Sequence, residues 1–373
     1  MTMSLATVRL DEVELPLVEP FETSFGVEHN RRFLLVRVAT KAGLEGWGEC
    51  VAASDPLYSS ESVATARWMI SERLVPILFR LPEPTPEAFL RKAARYRGHP
   101  MAKAAVELAL QDLRAQEAGR SLSKVLGGHR KRVQVGVSVG IQASVPRLVE
   151  RVGLYLEAGY GRIKLKVRPG WDARPVAAVR REYPDVELWV DANQAYPTRA
   201  SAQIRAWAEK NEVAQVEQPF AERAIRAHAD LARNARFRVC LDESIVDESS
   251  LEDALGARAL TSLNVKVARV GGLGIGRTLA RRAARAGVPS WMGGMLESGV
   301  GRAHNIALAS TPPFVLSSDL SASDRYYHED ITDPPFVLGP GSTIEVPRGP
   351  GIGVEVNERV LRKHRRLSRT YRP

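Results

Sequence analysis

The sequence predicts a protein of the α/β class, with a closed barrel of alternating strands and helices of the TIM type behind an N-terminal α+β domain. Short apolar runs recur through the middle of the chain, and their starts lie about 24 to 28 residues apart. Ala-, Arg- and Leu-rich stretches of helical character separate these runs, whereas the first 125 residues follow a different pattern. Strands and helices that alternate at this period indicate repeated βα units around a parallel sheet.

The N-terminal domain, predicted over residues 1–127, begins with strands and continues with helices. The strand-like runs are TVRLDEVELPL, RRFLLVRVAT and GWGEC, and the turn KAGLEG between the last two indicates a hairpin. The later stretch MAKAAVELALQDLRAQEAG is predicted to be a helix that ends at a glycine suited to a C-cap. This order of elements is typical of an α+β domain.

Eight apolar runs define the barrel, which is predicted over residues 128–325. They occupy residues 133–139, 161–167, 186–191, 213–217, 237–242, 262–267, 288–292 and 314–319. At least seven are followed by helix-like stretches, such as ASAQIRAWAEKNE and GIGRTLARRAARAG. Eight strands in such units favour closure into a barrel over an open, doubly wound sheet.

The C-terminal segment, residues 326–373, is predicted to return to the N-terminal domain and pack on it. Its first part, PPFVLGPGSTIEVPRGPGIGVEVN, combines short strand-like runs with Pro/Gly turns. Its last part, RVLRKHRRLSRTYRP at 359–373, is densely basic, and we expect it to be a solvated helix or a frayed end.

Composition and charge argue against membrane and nucleic-acid functions. The chain is 44% hydrophobic and has no run of the roughly 18 apolar residues that a membrane helix needs. Its net charge of +10 comes from scattered residues without aromatic interleaving, so no nucleic-acid partner is expected. The N-terminus alternates like a strand and lacks the apolar core of a signal peptide, and Cys50 and Cys240 lie in apolar runs. We therefore expect a cytoplasmic protein with reduced core thiols.

Ionisable residues at the ends of five successive strands are the candidates for chemistry. They follow one another at intervals of 25, 26, 25 and 24 residues, one βα unit each, and are Lys166, Asp191, Glu217, Asp242 and Lys266. In a TIM barrel functional groups come from the carboxyl ends of strands, so these five side chains would line one mouth. Taken singly, each of these residues could have a purely structural role, as a helix N-cap, a turn residue or a snorkelling strand end. Their common register favours a shared function.

Three carboxylates at one mouth repel one another unless a cation binds between them. Oxygen ligands from three strands suit Mg²⁺, with Mn²⁺ or another divalent ion as a substitute. A substrate carboxylate bound to that ion would have its α-proton acidified, because the ion stabilises the enolate that forms. Lysines on either side of the substrate would then be the acids and bases. Lys164, which shares a strand face with Lys166, would lie beside them.

These motifs resemble those of the enolase superfamily, muconate-lactonising subgroup, over essentially the whole chain. The matching motifs are KLK at 164–166, DAN at 191–193, EQP at 217–219, DES at 242–244 and the strand NVK that ends at Lys266. The resemblance implies an α+β capping domain, made from both termini, over a (β/α)7β barrel. It also implies a small carboxylate substrate and a homo-oligomer.

The same resemblance implies a role for each strand-end residue. Asp191, Glu217 and Asp242 would be the ligands of Mg²⁺. Lys166 and Lys266 would be the acid/base pair. Lys164 would support Lys166 and contact a substrate carboxylate.

Within the subgroup, the stretch WMGGMLESGVGRAHNIALA at 291–309 is similar to the branch of o-succinylbenzoate synthases and N-acylamino acid racemases. ETSFGV at 22–27, VSVGI at 137–141 and SASDRYYHEDI at 321–331 support this similarity. It implies a syn dehydration that serves menaquinone synthesis, together with racemisation of N-acyl or N-succinyl amino acids. A dedicated racemase, another cycloisomerase or epimerase, and an inactive barrel that binds an acidic partner remain alternatives. A dipeptide epimerase is less favoured, because position 321, two residues after Asp319, holds a serine and not a second acidic residue.

Substrate-binding positions are predicted in both domains: Phe25, Tyr58, Ser138, Asn193, Arg269, Gly294 and Met295. Arg269 matches an arginine of the racemase branch and is expected to tune Lys266, with a surface position as the alternative. Ordinary core positions are the alternative for Phe25 and Tyr58. The amides of Gly293 and Gly294 are expected to donate to a succinyl or acyl group.

Overall fold

A computed structural model describes residues 4–373, so the first three residues of the predicted capping domain lie outside the described residues. The capping domain combines antiparallel strands with a layer of helices. Its elements are β1 (Leu5–Glu22), β2 (Val27–Thr40), β3 (Glu45–Cys50), α1 (Val63–Met69), α2 (Val75–Phe79), α3 (Pro86–Ala93), α4 (Pro100–Glu117) and α5 (Leu122–Leu126). A π-helical turn at Ile70–Leu74 joins α1 to α2.

The capping sheet lies between its own helices and the barrel, and the pattern of β2 shows why. Successive side chains of a strand point to opposite faces. Leu34 and Val36 therefore pack in the core formed with the capping helices, whereas Phe33 and Leu35 pack in the core shared with the barrel. All four side chains are fully buried.

The barrel is built on seven parallel strands that are hydrogen-bonded in sequence order. A short strand, β4 (Arg132–Gln134), precedes them. The barrel elements are β5 (Val137–Val139), α6 (Val145–Glu157), β6 (Arg162–Lys166), α7 (Ala173–Glu182), β7 (Glu187–Asp191), α8 (Ser201–Lys210), β8 (Gln215–Glu217), α9 (Ile225–Ala232), β9 (Arg238–Leu241), α10 (Glu248–Gly256), β10 (Ser262–Val265), α11 (Val267–Val270), α12 (Leu273–Arg285), β11 (Ser290–Met292) and α13 (Gly299–Ala309). Short 3₁₀ turns lie at Thr198–Ala200 and Ser323–Arg325.

The eighth predicted strand, at 314–319, closes the barrel through single bridges and not as a regular strand. Phe314 bridges to Ser290 of β11, and Ser318 bridges to Val135, just before β5. The Asp319 amide also donates to a β11 carbonyl at 2.9 Å. The segment thus joins both edges of the seven-stranded sheet. The predicted fold class, a (β/α)7β barrel with an N-terminal capping domain, is confirmed.

The C-terminal segment contacts both domains. Its elements are β12 (Thr332–Asp333), β13 (Thr343–Glu345), β14 (Glu355–Val356), α14 (Glu358–His364) and β15 (Arg365–Tyr371). β13 pairs with β4, which divides the predicted strand 133–139 into two, while β15 pairs antiparallel with β1. The capping sheet therefore has the order β15-β1-β2-β3. The domain limits at 127/128 and 325/326 stay predictions.

We expected a solvated helix or a frayed end over residues 359–373. This expectation was wrong for Arg365–Tyr371, which form strand β15. Strand β15 covers the edge of β1, whose backbone groups would otherwise lack partners. Its arginines meet carboxylates of β1, because Arg366 lies 3.0 Å from Glu14 and Arg365 lies 3.7 Å from the buried Asp11. Charge alone did not predict this strand, since the complementary carboxylates lie about 350 residues earlier in the chain.

Candidate active site

The five strand-end residues meet at one mouth of the barrel, as their spacing predicted. In the parallel register, Lys166 pairs with Asp191 and Asp191 pairs with Glu217. Asp242 directly follows β9, and Lys266 directly follows β10. Each of the five side chains is buried, with at most 9% exposure. Buried ionised groups persist only when they are paired, so their contacts decide what they can do.

Lysine ammonium groups face each of the three carboxylates. Lys166 Nζ lies 2.6 Å from Asp191 Oδ2, and Lys164 Nζ lies 2.7 Å from Glu217 Oε2. Lys266 Nζ lies 2.7 Å from Asp242 Oδ2. The carboxylates on β7 and β9 therefore each hold one of the two predicted acid/base lysines, and the carboxylate on β8 lies between them.

Burial and mutual repulsion shift the pKa values of the carboxylates in different directions. Burial, with Asp191 as the next cause, raises the pKa of Glu217 to about 7. Burial and then Asp242 raise the pKa of Glu243 to about 8. Burial alone would raise the pKa of Asp242 too, but Lys266 and a neighbouring arginine hold it below its usual range. Burial would lower the pKa of Lys266, yet Asp242 raises it well above the usual value, so Lys266 is a cation in this arrangement.

The donor set at this mouth fits a divalent metal ion. Asp191, Glu217 and Asp242 supply hard oxygen atoms from three adjacent strands. Buried oxygens beside these carboxylates lack a hydrogen bond, among them Asp242 Oδ2, Glu243 Oε2 and Asn264 Oδ1, although the first lies close to Lys266. In the arrangement of residues 4–373 the three carboxylates face lysines, and no three His, Cys, Asp or Glu side chains already stand together as a metal-binding group.

Arg269 is buried beside the carboxylate of Asp242, so the alternative of a surface arginine was wrong. Its guanidinium contacts Asp242 Oδ1 and donates to the carbonyls of Ile245 and Asn264 at 2.9 and 2.6 Å. Asp242 thereby lies between Arg269 and Lys266. Any effect of Arg269 on Lys266 would pass through this shared carboxylate.

Tyr58 and Phe25 lie at the mouth of the barrel and are not ordinary core aromatics. The Tyr58 hydroxyl donates to Asp242 Oδ1 at 2.9 Å, and Lys266 Nζ lies 4.5 Å from the centre of the Tyr58 ring. Phe25 meets Tyr58 edge to face, with ring centres 6.2 Å apart. The capping domain therefore supplies a wall against the lysine and carboxylate cluster.

A cavity of about 430 Å³ lies between the capping domain and the barrel mouth. The predicted substrate-binding residues that line it are Phe25, Tyr58, Ser138, Asn193, Gly294 and Met295, together with the three lysines. The hydroxyl of Ser138 is buried without a hydrogen-bond partner, and Asn193 accepts from Lys166 Nζ at 2.7 Å. The expectation for Gly293 was wrong, because its amide donates to the Val265 carbonyl at 2.9 Å and so is already used within the barrel.

The sequence prediction missed a buried ionic network beneath Lys164. Asp319 Oδ2 lies 2.5 Å from Lys164 Nζ, and Asp319 Oδ1 accepts from Arg162 at 2.6 Å. Both cations lie over indole rings, Arg162 over Trp189 and Lys164 over Trp291. Although burial raises the pKa of Asp319, Lys164 lowers it to about 2. The strand-end rule that located the other carboxylates also applies to Asp319, the last residue of the eighth apolar run.

The fold and the site define an enzyme with a (β/α)7β barrel whose active site lies beneath a capping domain. Two family models cover most of the chain, "Mandelate racemase / muconate lactonizing enzyme, N-terminal domain" at residues 5–127 and "Enolase C-terminal domain-like" at 147–360. The chain belongs to the enolase superfamily, in the mandelate racemase and muconate lactonizing enzyme family. Members of this family generally depend on a divalent metal ion, and the resemblance inferred from the motifs is confirmed.

Two names recur among relatives that match nearly the full length of the chain. An N-succinylamino acid racemase from Amycolatopsis is 46% identical over 94% of this chain and 95% of its own length. An o-succinylbenzoate synthase from Geobacillus kaustophilus is 40% identical over 100% of this chain and 98% of its own. A crystal structure of an enolase superfamily member from Listeria innocua matches with a TM-score of 0.94 and 37% identity, covering 99% of each chain.

No helix within residues 4–373 combines the length and the hydropathy that a membrane span requires.

Proposed function

We propose that the protein is an Mg²⁺-dependent o-succinylbenzoate synthase that also racemises N-succinyl and other N-acyl amino acids. The observation that carries the proposal is the pair of buried lysines, Lys166 and Lys266, held by carboxylates at opposite ends of one cluster. Full-length relatives with each of the two names support both activities. A dedicated racemase is the second candidate, favoured by the buried Arg269.

The metal would be held by Asp191, Glu217 and Asp242, with Mn²⁺ or another divalent ion as a substitute for Mg²⁺. When bound, the ion supplies positive charge that stabilises the substrate carboxylate as its α-proton leaves. It would also offset the repulsion that raises the pKa of Glu217. Asp191 and Asp242, which pair with Lys166 and Lys266, would then be engaged by the ion.

In the dehydration, Lys166 removes the proton α to the carboxylate and returns it to the departing hydroxyl on the same face. Lys266 stays cationic on the opposite face and stabilises the negative charge. Lys164 supports Lys166 and contacts the substrate carboxylate. The net reaction is the loss of one water molecule from the substrate.

In the racemisation, the same two lysines act in turn, one on each face of the α-carbon. One removes the proton and the other delivers a different proton to the opposite face, which inverts the centre. Phe25, Tyr58 and Met295 would form the wall around the acyl group, and Ser138 and Asn193 would supply polar contacts. The amide of Gly294 would donate to the acyl oxygen.

The test is α-proton exchange of an N-succinyl amino acid in D₂O, followed by NMR, with dehydration assayed in parallel. We expect exchange with Mg²⁺, its loss in EDTA and its return on adding Mg²⁺. Lys166→Ala should abolish dehydration and racemisation and should lose exchange of one enantiomer, whereas Lys210→Ala, on an exposed helix face, should change none of them. Exchange of both enantiomers that EDTA and Lys166→Ala leave intact would contradict the proposal. Racemisation without dehydration would instead select the dedicated racemase.

We further propose that the enzyme acts in the cytoplasm as a homo-oligomer on small carboxylate substrates. The two cysteines, both free and buried, support a reducing compartment. Sedimentation velocity of the purified protein tests the oligomer, and a single species of the monomer mass of 41.0 kDa would contradict it.

A further inference from the structure

The cavity above the lysine and carboxylate cluster reaches the beginning of β2 in the capping sheet. Arg31 lies on this strand and lines the same cavity as the three lysines. It alternates with Phe33 and Leu35, so its side chain leaves the face of the sheet that is turned toward the barrel. Arg31 is only 3% exposed. A permanent positive charge is thus buried in the cavity wall, apart from the residues assigned to catalysis.

The charge of Arg31 is paired only with a partly exposed carboxylate, at the long end of hydrogen-bond distance. Its guanidinium donates to the Val51 carbonyl, and its Nη1 lies 3.5 Å from Glu28 Oε2, a side chain that is 39% exposed. Its Nε is buried without any hydrogen-bond partner. Buried cations are normally paired with a nearby anion. Two other buried arginines, Arg162 and Arg269, each directly contact a buried aspartate.

The neighbouring Arg32 provides the contrast. It also lines the cavity, but it contacts the buried carboxylate of Glu12, and its own side chain is 41% exposed. Its charge is therefore already balanced and largely solvated. The Nε of each arginine is buried without a hydrogen-bond partner, so the two differ in the burial of their side chains and in the burial of the carboxylate that each contacts.

We propose that Arg31 binds the second carboxylate of a substrate that carries two, which is the free carboxylate of a succinyl group. The inference rests on the proposed function and adds a subsite to it. The first carboxylate of the substrate would lie at the lysine cluster, while the guanidinium of Arg31 receives the second through charge-assisted hydrogen bonds. Phe25, Leu57 and Met295 line the cavity and suit the methylene groups of the substrate.

The test compares two substrates that differ only in this carboxylate, N-succinyl-phenylalanine and N-butanoyl-phenylalanine. Their acyl chains have the same length, so the ratio of their kcat/KM values for racemisation reports the contribution of the second carboxylate. We expect the wild-type enzyme to favour the succinyl substrate. We expect Arg31→Met to reduce the ratio about 10- to 100-fold, the effect of losing a charge-assisted hydrogen bond. Arg31→Lys should retain part of the preference, and Arg32→Met is the matched control that should keep the wild-type ratio.

A second variant keeps the proposal testable if Arg31→Met does not fold. Glu28→Gln removes the carboxylate nearest to Arg31 from a partly exposed position, so we expect it to raise the succinyl-to-butanoyl ratio. An unchanged ratio in a folded Arg31→Met, an equal loss for both substrates, or a lower ratio in Glu28→Gln would overturn the subsite. If the wild-type enzyme racemises neither substrate with Mg²⁺, the racemase part of the proposed function fails instead. If the enzyme racemises both substrates and the succinyl-to-butanoyl ratio of kcat/KM does not depend on Arg31, only the subsite is overturned and the proposed function is retained.

Discussion

Gly293 offers a way to displace Lys266 without changing any ionisable group. It directly follows β11, and a Cβ atom at this position would lie 2.7 Å from Lys266 Cγ and still closer to Asn264 Oδ1. Ordinary van der Waals contact begins at 3.4 Å, so Gly293→Ala requires Lys266 to move by about 0.7 Å. The displacement would act on a side chain whose Nζ lies 2.7 Å from Asp242 Oδ2.

The two proposed reactions should respond differently to this displacement. Moving an acid/base group by about 1 Å costs about 100-fold in rate, so racemisation, in which Lys266 must transfer a proton, should fall by about this factor. Dehydration needs only the positive charge of Lys266, and electrostatic attraction falls slowly with distance, so its rate should fall less. The ratio of racemisation to dehydration is therefore expected to drop.

Both reactions are measured on the same preparation, racemisation by polarimetry and dehydration by the absorbance of the aromatic product. Gly256→Ala is the control, because a Cβ at this position meets nothing within 4 Å. Overpacking at Gly293 should also lower the free energy of unfolding by about 1 to 3 kcal/mol, so rates are taken well below the midpoint of thermal unfolding. Wild-type racemisation in folded Gly293→Ala would refute the assignment of Lys266, and a larger loss of dehydration than of racemisation would refute its different roles.

Three further predictions concern other parts of the molecule. Asp319→Asn removes the negative charge 2.5 Å from Lys164, and we expect kcat/KM to fall about 10- to 100-fold in steady-state kinetics; an unchanged value would contradict a supporting role for Lys164. Burial lowers the pKa of His228 to about 4, whereas a histidine in the unfolded chain titrates near 6.5. The unfolded chain therefore binds this proton first, so stability should fall by about 3 kcal/mol as the pH drops from 6.5 to 4, and thermal melts of His228→Gln should show a shallower fall. Glu107 of α4 accepts hydrogen bonds from the first two amides of α12 at 2.9 and 3.2 Å. Glu107→Ala should therefore lower the free energy of unfolding by about 2 kcal/mol, measured by denaturant titration, while Glu117→Ala, at the exposed end of α4, should not.

Much of the fold could be predicted from the sequence, because its main signal is local. A parallel strand buried on both faces appears as a short apolar run, and the repeated βα unit fixes the distance between runs. The same regularity brought five ionisable residues to one mouth, where Lys166 and Asp191 indeed pair in register. Features that depend on two distant segments did not appear in the local pattern. Strand β15 forms because the edge of β1 is open, and the eighth apolar run makes single bridges because its partners are the outer edges of the sheet.

The site residues that were missed are also those whose role depends on distant neighbours. In the sequence, Asp319 served only as evidence against a dipeptide epimerase, yet it contacts Lys164 and Arg162 across the barrel. Arg31 belongs to a strand of mixed polarity, and nothing in its sequence surroundings distinguishes it from Arg32. Only their burial and their carboxylate partners in the folded chain separate the two.

The most direct test of the central claim is exchange of the α-proton for deuterium, measured separately for the two enantiomers of an N-succinyl amino acid. If Lys166 and Lys266 act on opposite faces, Lys166→Ala should lose racemisation but still exchange the proton of one enantiomer. Lys266→Ala should lose racemisation and exchange the proton of the other enantiomer. Exchange of both enantiomers by either variant would contradict the two-base arrangement.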